Sequence, residues 1–235
     1  MNENKFDVIY LESKIKSSNW WKTALKTIDS HYTNERGVML SHHLEAVYQN
    51  IENIFNYPEI GFYKELFGLL HQIKLDKESV KNHLKIVALL HDLGKIEEDK
   101  TLIIPHPLTG KPAHKRHGLV GLMAAMEIIG NELEQLTQEK LIVYRTVELH
   151  DISFGLFREY RSSGDIPKSD KLSYIAKKIH PEPGAGILYL LIFKLADIHG
   201  HQSIEDVIWF YKIAASNYYK EFNIQLPIPT ESDIR

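Results

Sequence analysis

The sequence contains no cysteine among its 235 residues. This absence excludes disulfide bonds, iron–sulfur clusters, thiol nucleophiles and zinc sites built from thiolates. Any bound metal ion must therefore be held by histidine and carboxylate side chains. The chain has 13 histidines, which is a large supply of such ligands.

Glycine and proline are scarce, with 13 and 9 residues respectively. Together they make up roughly 9% of the chain, whereas about 12% is usual. Because both residues interrupt regular structure, their scarcity predicts long helices rather than many short strands.

An excess of basic charge is also lacking, since 28 Lys and Arg face 31 Asp and Glu and the net charge is −3. Proteins that bind long duplex nucleic acid usually carry a basic stripe, so we expect no such partner. The sequence does not indicate an oligomeric state.

Long hydrophobic runs are missing as well. The longest, residues 186–193, falls well short of the ~20 residues that span a bilayer. The first residues, MNENKFDVIY, lack the charged and then apolar pattern of a signal peptide. We therefore expect a cytoplasmic protein without a membrane partner.

Apolar residues recur at helical spacing along most of the chain. Two polar stretches, 100–112 and 153–171, are predicted as loops, the second as a mobile lid that selects the substrate. No stretch looks like a linker, so a single all-α domain over residues 1–235 is expected, although the runs IYL and LII leave short strands open. Helices are predicted over 20–28, 41–57, 62–70, 80–93, 117–129, 137–149, 172–179, 187–199 and 204–219.

Residues 89–95, Leu-Leu-His-Asp-Leu-Gly-Lys, form the most informative stretch. Imidazole and carboxylate ligands suit Zn, Mn, Fe, Co and Ni ions, and the two oxygens of Asp92 would allow it to bridge two ions. Lys95 could place an ammonium group beside a bound anion. Taken alone, His91 and Asp92 are more often a buried pair at the end of a helix.

Other histidines and aspartates lie on separate predicted helices or at their ends, next to apolar residues. A helical bundle can direct one ligand from each helix to a common point. Burying so many polar side chains without a metal ion or mutual pairing would be costly. These residues are His42, His117, His150 and Asp197.

The ordered pattern His, His-Asp, His, His, Asp, with its second element written HDLGK, resembles the HD-domain superfamily of metal-dependent phosphohydrolases. The likeness covers roughly residues 38–210. It implies a compact helical bundle with one or two divalent transition-metal ions (Mn, Co, Ni, Fe or Zn) at its centre. It also implies a first ion held by His42, His91, Asp92 and Asp197, and a second held by Asp92, His117 and His150.

Two positions have a neighbouring alternative. His42 matches the first histidine of the family better than His43, because the apolar residues that follow then fall on their usual positions. His117 is preferred to His114 because of the glycines that follow it. The single histidine at His150 departs from the CRISPR-associated nucleases and cyclic-di-nucleotide phosphodiesterases of the superfamily, which carry a pair.

The resemblance implies hydrolysis of a phosphate ester, in a nucleotide or at a nucleic-acid end, by a metal-activated water. Asp92 and Lys95 are the expected catalytic residues, and Lys95, Arg116 and Arg158 the expected substrate contacts. One alternative is a di-iron oxygenase of the same type acting on a polyol or a phosphonate. Another is a non-catalytic binding protein that keeps the fold. The phosphate-binding loop G-x-x-x-x-G-K-[ST], the dinucleotide fingerprint, H-E-x-x-H and G-x-S-x-G are all absent.

Overall fold

Helices form nearly all of the regular structure in the computed structural model. The structure describes residues 6–29, 38–96, 101, 103–105, 112–130, 136–182, 184–198 and 204–234. The all-α prediction is confirmed in this part of the chain. Its helices are α1 Val8–Ser17, α2 Asn19–Ala24, α3 Leu40–Asn56, α4 Gly61–Gln72, α5 Lys77–Leu90, α6 His117–Ile129, α7 Gln138–Leu149, α8 Ile152–Ser163, α9 Ser169–Ile179, α10 Ala185–Asp197, α11 Ile204–Phe222 and α12 Glu231–Ile234.

Three short elements complete the described structure. A 3₁₀ turn, Leu93–Ile96, follows α5 and contains most of the HDLGK segment. Strands β1 Ile103–Pro105 and β2 Pro112–His114 pair in an antiparallel hairpin. Among the described residues, no helix is long and apolar enough to cross a membrane.

The backbone contacts divide the chain into two compact units, each made of two stretches. Unit 1 contains residues 1–49 and 85–148, and unit 2 contains residues 50–84 and 149–235. The prediction of one domain over the whole chain stays a prediction.

In unit 1, helix α6 packs very close to the HDLGK segment. A Cβ atom on Gly94 would overlap the carbonyl oxygen of His117, and one on Gly121 would lie 3.0 Å from the carbonyl oxygen of His91. Only residues without a side chain allow two backbones to approach this closely. The glycines therefore bring the start of α6 against His91 and Asp92.

A small antiparallel bridge fixes the start of α3 in unit 1. Ile28 pairs with Met39, and the Asp29 N–H donates to the carbonyl of Val38 at 2.8 Å. The Leu40 N–H, in the first turn of α3, donates to the carbonyl of Thr27, also at 2.8 Å. These contacts tie the segment after α2 to helix α3, which carries both His42 and His43.

In unit 2, helix α10 is buried along its whole length, including the ionisable residues Lys194 and Asp197. It packs closely on α9, because Gly186 leaves no Cβ atom to meet the backbone of Ala176. Helix α11 packs on α8, α9 and α10. This continuous burial explains why residues 186–193 form the longest apolar run of the sequence.

The predicted lid over residues 153–171 is wrong. Helix α8 occupies Ile152–Ser163, and α9 begins at Ser169. Leu156 and Phe157 are buried, and Phe157 lies 5.4 Å from the ring of Trp209 on α11. These buried apolar residues pack α8 against α11, and they are easily overlooked beside the charged residues of the helix.

The other predicted loop, 100–112, contains part of the β1–β2 hairpin, and its residues 106–111 lie outside the described part. The run LII contributes two residues to β1, whereas IYL lies in α1, a helix that the sequence analysis did not predict. The helix predicted over 41–57 is α3, which begins one residue earlier, at Leu40, and ends at Asn56.

Candidate metal centre

His91 and Asp92 occupy the turn that follows α5, and both are buried. The His91 N–H still donates to the Val87 carbonyl at 2.9 Å, so the helical hydrogen bonding extends into this turn. The Lys95 N–H donates to the Asp92 carbonyl at 2.9 Å and closes the 3₁₀ turn. This tight geometry holds the side chains of Asp92 and Lys95 on the same side.

Three donor atoms meet in unit 1. His43 Nε2 lies 3.2 Å from His91 Nε2 and 3.3 Å from Asp92 Oδ2. The third edge of this triangle, from His91 Nε2 to Asp92 Oδ2, measures 3.4 Å. Ligands at about 2.1 Å from a tetrahedral ion are spaced about 3.4 Å apart. The buried His and Asp residues therefore have the spacing and chemistry needed to hold a metal ion.

Hydrogen bonds orient two of the imidazoles. The Nδ1 atom of His91 lies 3.0 Å from the carbonyl oxygen of Ala88, and that of His117 lies 2.9 Å from the carbonyl of His114. Because a carbonyl can only accept, each Nδ1 carries the proton in the neutral ring. Each Nε2 atom then keeps its lone pair, as is usual for metal-binding histidines.

The two carboxylate oxygens of Asp92 lie near different histidines. Its Oδ2 atom faces His43 and His91, whereas its Oδ1 atom lies 3.5 Å from His117 Nε2. One carboxylate oxygen directed to each side is the arrangement that a bridging ligand needs. The mixed nitrogen and oxygen donors suit transition metals and zinc, whereas Mg²⁺ and Ca²⁺ prefer oxygen alone.

The geometry favours His43 over the predicted His42. His42 is exposed, and the buried residue at this place is its neighbour His43. Consecutive residues of a helix differ in direction by about 100°, so only one of the two can face the site. His43 lies on the same face of α3 as the buried residues Leu40, Leu44 and Val47. That apolar spacing was present in the sequence and pointed to His43.

The choice of His117 over His114 as a ligand stays a prediction, which the geometry favours. The His117 side chain faces Asp92, while His114 is the last residue of β2 and its carbonyl oxygen receives the His117 Nδ1–H. Arg116 precedes His117 in a left-handed conformation with φ 64° and has an exposed side chain. Its role as a substrate contact stays a prediction.

Lys95 is buried and lies between two carboxylates. Its Nζ atom is 2.5 Å from Asp92 Oδ2 and 3.7 Å from Asp29 Oδ1. Asp29 is itself buried and carries no recognisable motif in the sequence, so sequence reasoning missed it. The site thus contains a fixed ammonium group directly beside the donor atoms.

The remaining predicted residues lie in unit 2. His150 follows α7 and is buried, with its ring 6.0 Å from that of Phe193 in an edge-on arrangement. Asp197 ends α10, and its Oδ2 atom lies 3.3 Å from Lys194 Nζ. Arg158 on α8 is exposed. Their roles as metal ligands and substrate contact stay predictions.

Lys194 is surrounded by acidic groups within unit 2. Burial lowers the pKa of Lys194, but the carboxylates of Asp197, Asp151 and Asp206 outweigh this and raise it above its ordinary value. Burial also raises the pKa of Asp206, although Lys194 opposes the shift. The lysine is therefore held as a cation three residues before Asp197.

Comparison with known proteins found no matching family model, no matching curated protein and no matching solved structure. The site is therefore defined by its own geometry and by the HDLGK pattern.

Proposed function

We propose that this chain is a metal-dependent phosphohydrolase of the HD type, acting on the phosphate ester of a nucleotide or a nucleic-acid end. The observation that supports this proposal best is the buried triangle of His43, His91 and Asp92, with edges of 3.2–3.4 Å. The lysine of the same motif lies beside it, where a negatively charged substrate would need a cation.

The geometry in unit 1 supports part of the proposed ligand set, and the resemblance suggests the rest. His43, His91 and Asp92 hold the first ion, with His43 replacing the predicted His42. By the resemblance, Asp197 is the fourth ligand, and His150 joins His117 and Asp92 at a second ion. When bound, such an ion supplies Lewis-acid polarisation of a phosphoryl oxygen and lowers the pKa of its water to about 7.

Asp92 has two tasks in this proposal. Its carboxylate would hold the ion, and it would orient the attacking water toward phosphorus. The Nδ1–H groups of His91 and His117 donate to backbone carbonyls, which keeps both rings in the orientation that leaves Nε2 as a ligand. These rings need little reorganisation when an ion binds.

Lys95 acts on the substrate. Its ammonium group is buried, so its interaction with a phosphoryl oxygen is screened less than at the surface. A fixed donor directed to developing negative charge typically contributes about 10²–10³-fold in kcat. Arg116 and Arg158 remain the other proposed contacts of the phosphorylated substrate.

The proposal is tested by combining elemental analysis with a substrate screen. Freshly purified protein is measured for Mn, Fe, Co, Ni and Zn, then assayed with phosphomonoesters, cyclic phosphates, nucleoside triphosphates and dinucleotides. The Asp92→Asn variant is expected to lose bound metal and at least ~100-fold of the activity. Mutating a residue that only hydrogen-bonds to a metal ligand typically costs about 10–100-fold in metal affinity or activity, so loss of a ligand should cost at least as much. Asp165→Asn, an exposed aspartate, serves as the matched control.

Full metal content and full activity in Asp92→Asn would contradict the proposal. Oxygen consumption by iron-loaded protein with a polyol or a phosphonate, without hydrolysis of any phosphate ester, would favour the oxygenase alternative instead.

A further inference from the structure

Asp29 is a buried carboxylate that lies close to the candidate metal centre without belonging to the predicted ligand set. Its side chain is fully inaccessible, and its Oδ1 atom lies 3.7 Å from the Nζ atom of Lys95. A buried carboxylate is costly unless a cation or hydrogen bonds compensate it. Lys95 is a compensating cation within reach.

The backbone holds Asp29 firmly in this place. The Ile28–Met39 bridge and the hydrogen bond from the Asp29 N–H to the Val38 carbonyl fix its main chain beside the first turn of α3. The same helix carries His43 three residues after Leu40. One small bridge thus sets the position of Asp29 together with that of a proposed metal ligand.

Lys95 has two acidic neighbours with different tasks. Asp92 Oδ2 lies 2.5 Å from Lys95 Nζ but is also a proposed metal ligand. Coordination to a cation draws the negative charge of Asp92 away from Lys95. Asp29 then remains as a carboxylate that can hold the ammonium group in place.

We propose that Asp29 is a positioning residue that keeps the Lys95 ammonium group directed to the phosphate of the substrate. The inference rests on the proposed function, since it assigns Asp29 to the phosphate-binding side of that site. Asp29 acts through Lys95 and not through the metal ion. Loss of its charge should therefore weaken phosphate binding and leave metal binding intact.

The test is a double-mutant cycle on the metal-loaded protein. Asp29→Asn, Lys95→Met and the double variant are compared for affinity toward inorganic phosphate by calorimetry, and for metal content by elemental analysis. We expect Asp29→Asn to weaken phosphate binding about 10-fold, the size of one lost interaction of a charged group. In the Lys95→Met background the same substitution should change nothing, because coupled residues are not additive.

Controls separate this effect from loss of folding. Asp165→Asn is the matched control, and thermal melting monitors every variant. Asp29→Ser, which also removes the charge but is smaller, should reproduce the result if Asp29→Asn does not fold. With a substrate from the screen, Asp29→Asn should raise KM more than it lowers kcat.

Three results would overturn the inference: wild-type phosphate affinity in Asp29→Asn, additive effects of the two substitutions, or loss of metal in Asp29→Asn. Failure of wild-type protein to bind phosphate would overturn it too. Failure of the proposed function has a different signature, because a wild-type protein that hydrolyses no phosphate ester can still show the coupling in phosphate binding.

Discussion

The adjacent residues His42 and His43 offer a sharp test of the metal centre. Replacing each by alanine removes the same side chain from neighbouring positions of α3. His43 Nε2 lies within 3.3 Å of both other donor atoms, whereas His42 is exposed. Only His43→Ala should affect metal binding.

The expected loss of metal affinity follows from the proposed role of His43 as a direct ligand. Changing an outer partner of a metal ligand usually costs about 10–100-fold in affinity, so loss of a direct ligand should cost at least ~100-fold. Removing the buried polar ring should also lower the free energy of unfolding by about 1–3 kcal/mol, since its partners lose an interaction. His42→Ala should stay within about 0.5 kcal/mol of the original protein.

The assay measures metal content after equilibration and dialysis, together with melting in the presence and absence of the ion. A ligand present at 100 times its Kd stabilises the folded state by about 2.7 kcal/mol. Wild-type and His42→Ala proteins should show this stabilisation, and His43→Ala should not. Loss of metal in His42→Ala, with normal metal content in His43→Ala, would refute the assignment.

Two further substitutions test the scaffold. Gly94→Ala should destabilise the protein by about 1–3 kcal/mol or more, because its Cβ atom would overlap the His117 carbonyl; normal melting would contradict the close packing of α6. Asp76→Ala should cost about 0.5–2 kcal/mol, since Asp76 Oδ2 accepts from the Ser79 N–H at 2.8 Å near the start of α5. The hydrogen bonds from Ser79 lower the pKa of Asp76, so this contribution is present above the ordinary aspartate pKa and disappears as the pH falls through the lowered value. Denaturant titrations between pH 2 and pH 7 should show the two proteins converging in acid, and a constant difference would contradict this explanation.

The helical part of the fold was largely readable from the sequence. Helix α6 was predicted with the bounds observed, and α10 and α11 with small shifts, because their apolar residues are continuous or strictly spaced. Helix α8 was missed because its polar residues outnumber the two that anchor it. Its burial depends on the partner helix α11, and no local pattern contains that information.

Part of the candidate site could also be predicted from the sequence. The HDLGK motif identified His91, Asp92 and Lys95, since the chemistry of all three is written in one short segment. The sequence analysis preferred His42 to His43 because it gave a family match more weight than the apolar spacing of α3, which favours His43. Asp29 carries no signal in the sequence, because only the bridge to Met39 brings it to Lys95.

The glycine of HDLGK serves a purpose separate from that of its neighbours. Gly94 is required by the approach of two backbones, whereas His91 and Asp92 are required by the donor atoms they present. A related chain with no metal ion at the candidate site would still need glycine at the position of Gly94. A variant that keeps the scaffold and tests the proposed metal site is therefore best made by changing Asp92 and leaving Gly94 untouched.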